Sequence, residues 1–117
     1  YRDFKFDLKS VVADNTSAAR FVVGGRAVSP DQVDLRTLGV VMEKNGEVVS
    51  IGAGAAVLGH PAAAIAMLAN HLGKRGREIP AGSLILSGGV TEAVAVEPGD
   101  HVSLRIQHLG SVSLRFI

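Results

Sequence analysis

The stretch Leu38-Gly-Val-Val-Met-Glu-Lys-Asn-Gly-Glu-Val-Val-Ser-Ile-Gly-Ala53 carries the strongest structural signal in this chain. Two apolar runs flank Asn45-Gly46, and both residues of that pair tolerate the positive φ that a type I′ turn requires. The stretch therefore predicts a β-hairpin with strands over residues 38–44 and 48–53.

A second hairpin is predicted near the C-terminus, where two runs alternate between apolar and polar residues around a turn that contains Gly110. The apolar positions are Val102, Leu104 and Ile106 in the first run and Val112, Leu114 and Phe116 in the second. Two hairpins favour an antiparallel or mixed sheet over a doubly wound parallel fold.

One well-defined helix is expected over residues 61–73. Pro61 suits a first helical turn because its missing N–H has no partner there. Ile65, Leu68 and Leu72 form an apolar stripe at helical spacing, and Gly73 or Gly76 then ends the helix. The pattern around Phe4 and Leu8 fits either a strand or a short helix that ends near Asp14, and we favour the helix.

Three further apolar segments indicate short strands. They lie at residues 20–23, at residues 84–86 and around Val94 and Val96. The sequence thus predicts a strand-rich α+β chain in a single domain, 1–117.

Composition narrows the function classes. The 117 residues are 47% hydrophobic and 20% charged, which is typical of a globular domain that buries roughly two thirds of its unfolded surface. A net charge of +1 gives no general attraction to nucleic acid or to an acidic membrane surface. The longest apolar stretch, residues 51–58, is far too short to span a membrane.

Cysteine is absent, which excludes disulfides, thiolate zinc sites and thiol catalysis. This composition fits a reducing cytoplasm, where we expect the protein to reside. The four histidines lack metal-type spacing, and no Glu-x-Glu or Asp-x-Asp pair is present to hold a hard cation. A Ser-His-Asp arrangement stays open, although no nucleophile-elbow pattern surrounds any serine.

Three motifs could bind a ligand. Gly52-Ala-Gly54 begins like a dinucleotide fingerprint but lacks its third glycine, so a close approach of two backbones is the better interpretation. The polar run Asp14-Asn15-Thr16-Ser17 fits an ordinary cap or turn. Ser87-Gly88-Gly89 follows an apolar segment, and its unobstructed N–H groups could cradle a carboxylate, with an ordinary loop as the alternative.

These motifs occur in an order that resembles a known family. The order is Val12-Ala-Asp-Asn-Thr-Ser17, Val22-Val-Gly-Gly25, Gly52-Ala-Gly54, Leu58-Gly-His-Pro61, Leu68-Ala-Asn70, Gly82-Ser-Leu-Ile-Leu-Ser-Gly88 and Pro98-Gly-Asp100. It is similar to the C-terminal portion of the 4-oxalocrotonate decarboxylase and 2-keto-4-pentenoate hydratase family, within the fumarylacetoacetate hydrolase superfamily. The similarity covers nearly all 117 residues.

The resemblance implies a mixed sheet or β-roll of the fumarylacetoacetate hydrolase C-terminal type. It also implies that the chain is the C-terminal part of a catalytic domain whose N-terminal part is absent. Family members bind Mg²⁺ or Mn²⁺ through acidic side chains that lie upstream of Tyr1 by resemblance. The metal would stabilise an enolate of the substrate as a Lewis acid. We expect no metal to be held by this chain alone, which would then be inactive.

The same resemblance assigns site residues. It implies catalytic contacts from Asp14 and Asn15 and substrate binding by Ser17, Ser87, Gly88 and Gly89. The segment Val90-Thr-Glu-Ala-Val94 is closer to the decarboxylase branch than to the hydratase branch. The expected activity is the decarboxylation of 4-oxalocrotonate to 2-hydroxypenta-2,4-dienoate in aromatic meta-cleavage catabolism.

Two alternatives stay open. One is hydration of the dienol by a 2-keto-4-pentenoate hydratase. Both reactions use the same metal-stabilised enolate as their electron sink, so motifs around it do not separate them. The other is a non-catalytic fragment that serves as an assembly module. Expected partners are a small 2-oxo acid, further copies of the chain in a homo-oligomer, and a partner hydratase, with no nucleic acid and no membrane.

Overall fold

The computed structural model describes residues 5–117 and has a strand-rich α+β fold, as the sequence predicts. Phe4, used above to weigh helix against strand, lies outside the described residues. The regular elements are α1 (Leu8–Ala13), β1 (Gly39–Lys44), β2 (Glu47–Ala53), α2 (Pro61–Gly73), β3 (His101–Ile106) and β4 (Gly110–Arg115). Short 3₁₀ turns lie at Asn15–Ser17 and Gly54–Ala56.

Both predicted hairpins are present. The four strands form a sheet in the order β2-β1-β3-β4, and each neighbouring pair is antiparallel. Asn45 and Gly46 have φ values of 54° and 85°, as a type I′ turn requires. Because β1 pairs with β3 as well as with β2, the two hairpins join into one sheet.

Asn45 also joins the two hairpins through its side chain. Its Nδ2 donates to Oδ1 of Asp100 at 2.7 Å, and its Oδ1 accepts from the N–H of His101 at 2.9 Å. Lys44 Nζ lies 3.3 Å from Oδ2 of Asp100. The Asn45 hydrogen bond lowers the pKa of Asp100, and the N–H of Glu97 and the Lys44 ammonium lower it further. This end of the sheet is therefore fixed by an ionised Asp100.

The predicted helix over residues 61–73 is confirmed as α2. Its start is fixed by His60, whose Nδ1 accepts from the N–H of Ala62 at 3.0 Å, with Pro61 in the first turn. A side-chain acceptor at this position satisfies one of the N–H groups that a helix leaves unpaired.

By length and composition alone, Gly54–Gly73 qualifies as a candidate membrane span. The structure interrupts this stretch, because Leu58 and Gly59 have φ values of 50° and 78°. The regular helix α2 has 13 residues, so it is about 20 Å long, against the roughly 30 Å of a hydrocarbon core. The helix α2 alone is therefore too short to span a membrane.

The three short strands predicted at residues 20–23, 84–86 and 94–96 are wrong. These segments lie outside every strand, and within residues 5–117 none of them donates a backbone hydrogen bond to another backbone carbonyl. Their composition favours strands, but a strand also needs a partner, and none of β1–β4 pairs with them.

Burial is smaller than the sequence suggests. Among residues 5–117, the buried apolar side chains of the core are Leu38, Val40 and Val57. The accessible surface is 9164 Å², against about 6,000 Å² for a compact 12.1 kDa monomer. The chain therefore buries about half of its unfolded surface, and the expectation of two thirds is wrong. Among the large apolar side chains left exposed are Phe21, Val23, Leu84 and Leu86.

Candidate functional site

A cavity of about 730 Å³ lies against the apolar face of the sheet. Val40 of β1 and Leu104 of β3 lie on that face, offset by two residues in the pairing of the two strands. Both line the cavity. The other walls come from the turn after β2, from the segment around Ser87 and from the loop after α1. The lining residues are Thr16, Leu35, Leu38, Val40, Gly54, Val57, Pro61, Ile85, Leu86, Ser87, Gly88, Gly89, Val90, Leu104, Ile106 and Leu109.

Gly52 and Gly54 allow two loops to pack closely against the end of β2. These loops form part of the cavity wall. A Cβ on Gly54 would overlap the carbonyl oxygen of Leu35, and a Cβ on Gly52 would overlap the carbonyl oxygen of Val90. The close approach of backbones expected for this glycine pair is thus confirmed. Gly54 lines the cavity, as do Leu35 and Val90, whose carbonyl groups the two glycines approach.

Ser87, Gly88 and Gly89 all line the cavity. Gly88 has a φ of 119°, in a region that side chains rarely adopt, and Val57 lies beside it. Within the described residues, no hydrogen bond occupies the Ser87 hydroxyl or the N–H groups of Gly88 and Gly89. One hydroxyl and two backbone N–H groups of cavity-lining residues therefore have no acceptor within the described chain, and a carboxylate cradle uses donors of this kind.

The run Asp14-Asn15-Thr16-Ser17 forms a tight left-handed turn. Asn15, Thr16 and Ser17 have φ values of 49°, 57° and 60°. The N–H of Ser17 donates to the carbonyl oxygen of Asp14 at 2.9 Å, and the N–H of Ala18 donates to that of Asn15 at 3.1 Å. The backbone N–H of Asp14 bonds to the carbonyl oxygen of Ser10 and so ends α1.

The turn meets the Ser87 segment through Thr16. Thr16 lines the 730 Å³ cavity together with Ser87, Gly88 and Gly89, whereas Asp14 and Ser17 line none of the cavities described here. Asn15 lines a smaller cavity of about 390 Å³, which Thr16 also lines. The two motifs thus converge on one cavity, but through a residue that sequence reasoning missed. The roles assigned above to Asp14, Asn15 and Ser17 stay predictions.

The wall that residues 5–117 give to the larger cavity is uncharged. The described lining residues include no Lys, Arg, His, Asp or Glu. Over residues 5–117, no group of three His, Cys, Asp or Glu side chains is placed to hold a metal ion. The described residues therefore do not fit a divalent cation site. They offer an apolar wall and neutral hydrogen-bond donors.

Comparison with known proteins gives consistent matches. Residues 1–117 match the family described as fumarylacetoacetate (FAA) hydrolase C-terminal. The chain is 65% identical over all 117 residues to a "4-oxalocrotonate decarboxylase" of Pseudomonas putida, of which it covers 44%. It is 41% identical over 114 residues to a "2-keto-4-pentenoate hydratase" of Paraburkholderia xenovorans, with 97% of this chain and 42% of that protein covered.

Solved structures agree in shape. The structure of 4-oxalocrotonate decarboxylase from Pseudomonas putida G7, complexed with magnesium and adipate, matches with a TM-score of 0.94 at 66% identity. The match covers 100% of this chain and 44% of that one. A second structure of that enzyme, complexed with calcium and acetate, matches with a TM-score of 0.88 at 67% identity, over 92% of this chain and 42% of that one. The chain thus spans less than half the length of the relatives it matches.

Proposed function

Because this chain belongs to the fumarylacetoacetate hydrolase family, whose C-terminal domain it matches from end to end, we propose that the full-length protein is a metal-dependent 4-oxalocrotonate decarboxylase. It converts 4-oxalocrotonate to 2-hydroxypenta-2,4-dienoate in the meta-cleavage catabolism of aromatic compounds, in the cytoplasm. The observation that carries the proposal is 65% identity over the whole chain to a decarboxylase, against 40–41% over 114 residues to two hydratases and 53% over only 75 residues to another hydratase.

Within this proposal, the cavity binds the end of the substrate that is remote from the 2-oxo acid group. The apolar wall contacts the carbon chain, and the distal carboxylate accepts hydrogen bonds from the Ser87 hydroxyl and from the N–H groups of Gly88 and Gly89. Hydrogen bonds to a charged group contribute about 1.5–3 kcal/mol each. Ser17 is a further substrate contact, and Asp14 and Asn15 contact the reacting end of the substrate.

We place the ligands of the divalent cation, Mg²⁺ or Mn²⁺, in the part of the full-length protein beyond these residues. The related structures with magnesium or calcium support a metal in the whole enzyme. The lack of a suitable donor group within residues 5–117 supports its location elsewhere. The 117-residue chain by itself is then inactive.

We also propose that residues 1–117 are the C-terminal part of a larger catalytic domain. The segments at residues 20–23 and 84–86 favour strands, expose Phe21 and Leu86 by about 60% (59% and 62%), and donate no backbone hydrogen bonds within the described chain. Strands supplied by the rest of the protein would pair with them. In amide hydrogen exchange, these segments should be protected in the full-length protein and unprotected in the isolated chain.

A second candidate function is assembly. The same exposed apolar segments favour a role of this chain as a module that binds further copies of itself or a partner hydratase. Sedimentation of the full-length protein alone and with the hydratase tests both partners. A protein that stays monomeric in both experiments would rule out this candidate and leave the enzymatic proposal intact.

The decisive experiment is turnover by the full-length protein with Mg²⁺. We expect release of CO₂ from 4-oxalocrotonate in step with formation of the dienol, and no activity from the isolated 117-residue chain. Hydration of the dienol without release of CO₂ would instead establish the hydratase alternative. Absence of both reactions would overturn the proposal.

A further inference from the structure

Thr16 stands where two cavities meet. The cavities of about 730 and 390 Å³ share three lining residues, which are Thr16, Ile85 and Leu86. The larger one holds the neutral donors of Ser87, Gly88 and Gly89. The lining of the smaller one is mainly apolar and includes Glu78, the one charged residue among its described lining residues, so this cavity suits an uncharged tail better than an anionic one.

Thr16 reaches this position through an unusual backbone. Its φ and ψ are 57° and 28°, and a β-branched residue in the left-handed region is a genuine outlier. Such a conformation persists only where the surrounding structure holds it, and it concentrates at functional sites. Here the Thr16 hydroxyl donates to the carbonyl oxygen of Asn15 at 2.7 Å, and two backbone hydrogen bonds close the turn around it.

We infer that Thr16 is a specificity-determining residue of the proposed site. Its side chain keeps the tail of a bound 2-oxo acid out of the smaller cavity, so that a charged tail is directed to Ser87, Gly88 and Gly89 and a longer apolar tail is rejected. This inference rests on the proposed function for the identity of the ligand. It assigns to a single side chain the selection between dicarboxylic and apolar-tailed substrates.

The test uses the full-length protein with Mg²⁺ and two unreactive probes. Adipate is a six-carbon dicarboxylate, and 2-oxooctanoate is a 2-oxo acid with an apolar tail. Thr16→Gly keeps the left-handed turn, which glycine adopts without strain, and removes the side chain. Thr16→Val keeps the size and the branching. His108→Gly is the matched control, because His108 also has a positive φ, 63°, and lines neither cavity.

By calorimetry, we expect Thr16→Gly to bind 2-oxooctanoate about ten-fold more tightly than the wild type, with the Kd for adipate changed by less than about three-fold. Thr16→Val and His108→Gly should leave the ratio of the two Kd values unchanged. Equal changes in both affinities would indicate a merely structural role and overturn the inference, as would no change in either. Turnover of 4-oxalocrotonate by the wild type is measured separately. A wild type that binds adipate but does not decarboxylate 4-oxalocrotonate refutes the proposed function and leaves the inference about Thr16 to be decided by the two Kd values.

Discussion

Replacement of Gly54 by alanine is expected to destabilise the fold, because the structure has no room for a side chain at this position. Gly54 is buried, and a Cβ on it would overlap the carbonyl oxygen of Leu35. That loop is held in place by two hydrogen bonds. The N–H of Gly54 donates to the carbonyl oxygen of Leu38 at 3.1 Å, and the N–H of Ala55 donates to that of Arg36 at 2.8 Å. The loop cannot move aside without straining both.

The expected magnitude follows from these two effects. Overpacking costs about 1–3 kcal/mol, and each lost hydrogen bond costs about 0.5–1.5 kcal/mol. We therefore expect Gly54→Ala to lower the free energy of unfolding by about 2–6 kcal/mol if both hydrogen bonds are lost. Gly24 is the matched control, because nothing lies within 4 Å of a Cβ placed there and its φ is not positive. Gly24→Ala should change the free energy of unfolding by no more than about 0.5 kcal/mol.

The measurement is urea unfolding of the full-length protein, followed by circular dichroism. A lower midpoint for Gly54→Ala at an unchanged slope reports a loss of stability rather than a change in the surface exposed on unfolding. Equal midpoints for Gly54→Ala and Gly24→Ala would refute the reasoning. They would mean that the Leu35 carbonyl does not press against the end of β2, and the cavity wall would have to be built differently.

Three further predictions concern the helix start, the sheet and the cavity. His60→Ala removes the acceptor for the N–H of Ala62 and should cost about 1 kcal/mol in urea unfolding, whereas His60→Asn, which keeps an acceptor, should cost less. The pKa of Asp100 is lowered from 3.8, so its ionised form stabilises the fold above that pH, and this stabilisation is lost as the pH falls through the lowered pKa. The stability difference between wild type and Asp100→Asn should therefore shrink on acidification below pH 3.8, and a difference that stays constant into strong acid would contradict this assignment. Ser87→Ala should raise the KM for 4-oxalocrotonate by about 10- to 100-fold, while Ser113→Ala, on the exposed part of β4, should leave it unchanged.

The parts of the fold that the sequence predicts correctly are those determined over short range. The turn at Asn45 and the start of α2 at Pro61 depend on residues within a few positions, so the sequence contains the required information. The segments at residues 20–23 and 84–86 have the same apolar character as β1 and β3. Whether they become strands depends on a distant partner, and no local pattern reports whether that partner is present.

The candidate site divides in the same way. Ser87-Gly88-Gly89 could be identified from the sequence, because small residues after an apolar segment indicate accessible N–H groups. Thr16 could not, because three consecutive non-glycine residues with positive φ contradict their own conformational preferences. The motif around it points to Asp14, Asn15 and Ser17, whose side chains bear the more familiar chemistry. Only the folded structure shows that Thr16 lines the same cavity as the Ser87 segment.

Under the proposed function, the uncharged cavity wall of residues 5–117 would supply only part of the substrate site. A dicarboxylate brings two negative charges, and burying them beside apolar residues with only neutral donors is unfavourable unless a positive charge lies nearby. None of the described residues that line the larger cavity supplies one. Under the proposed function, the compensating charge must come from the metal and from residues beyond this chain. The described residues of this chain then determine the shape of the larger cavity, which holds the distal end of the substrate. The rest of the protein determines whether an anion binds there at all. Substitutions at Thr16 or Ser87 should consequently change which ligand is preferred, whereas removal of the metal should weaken the binding of every ligand.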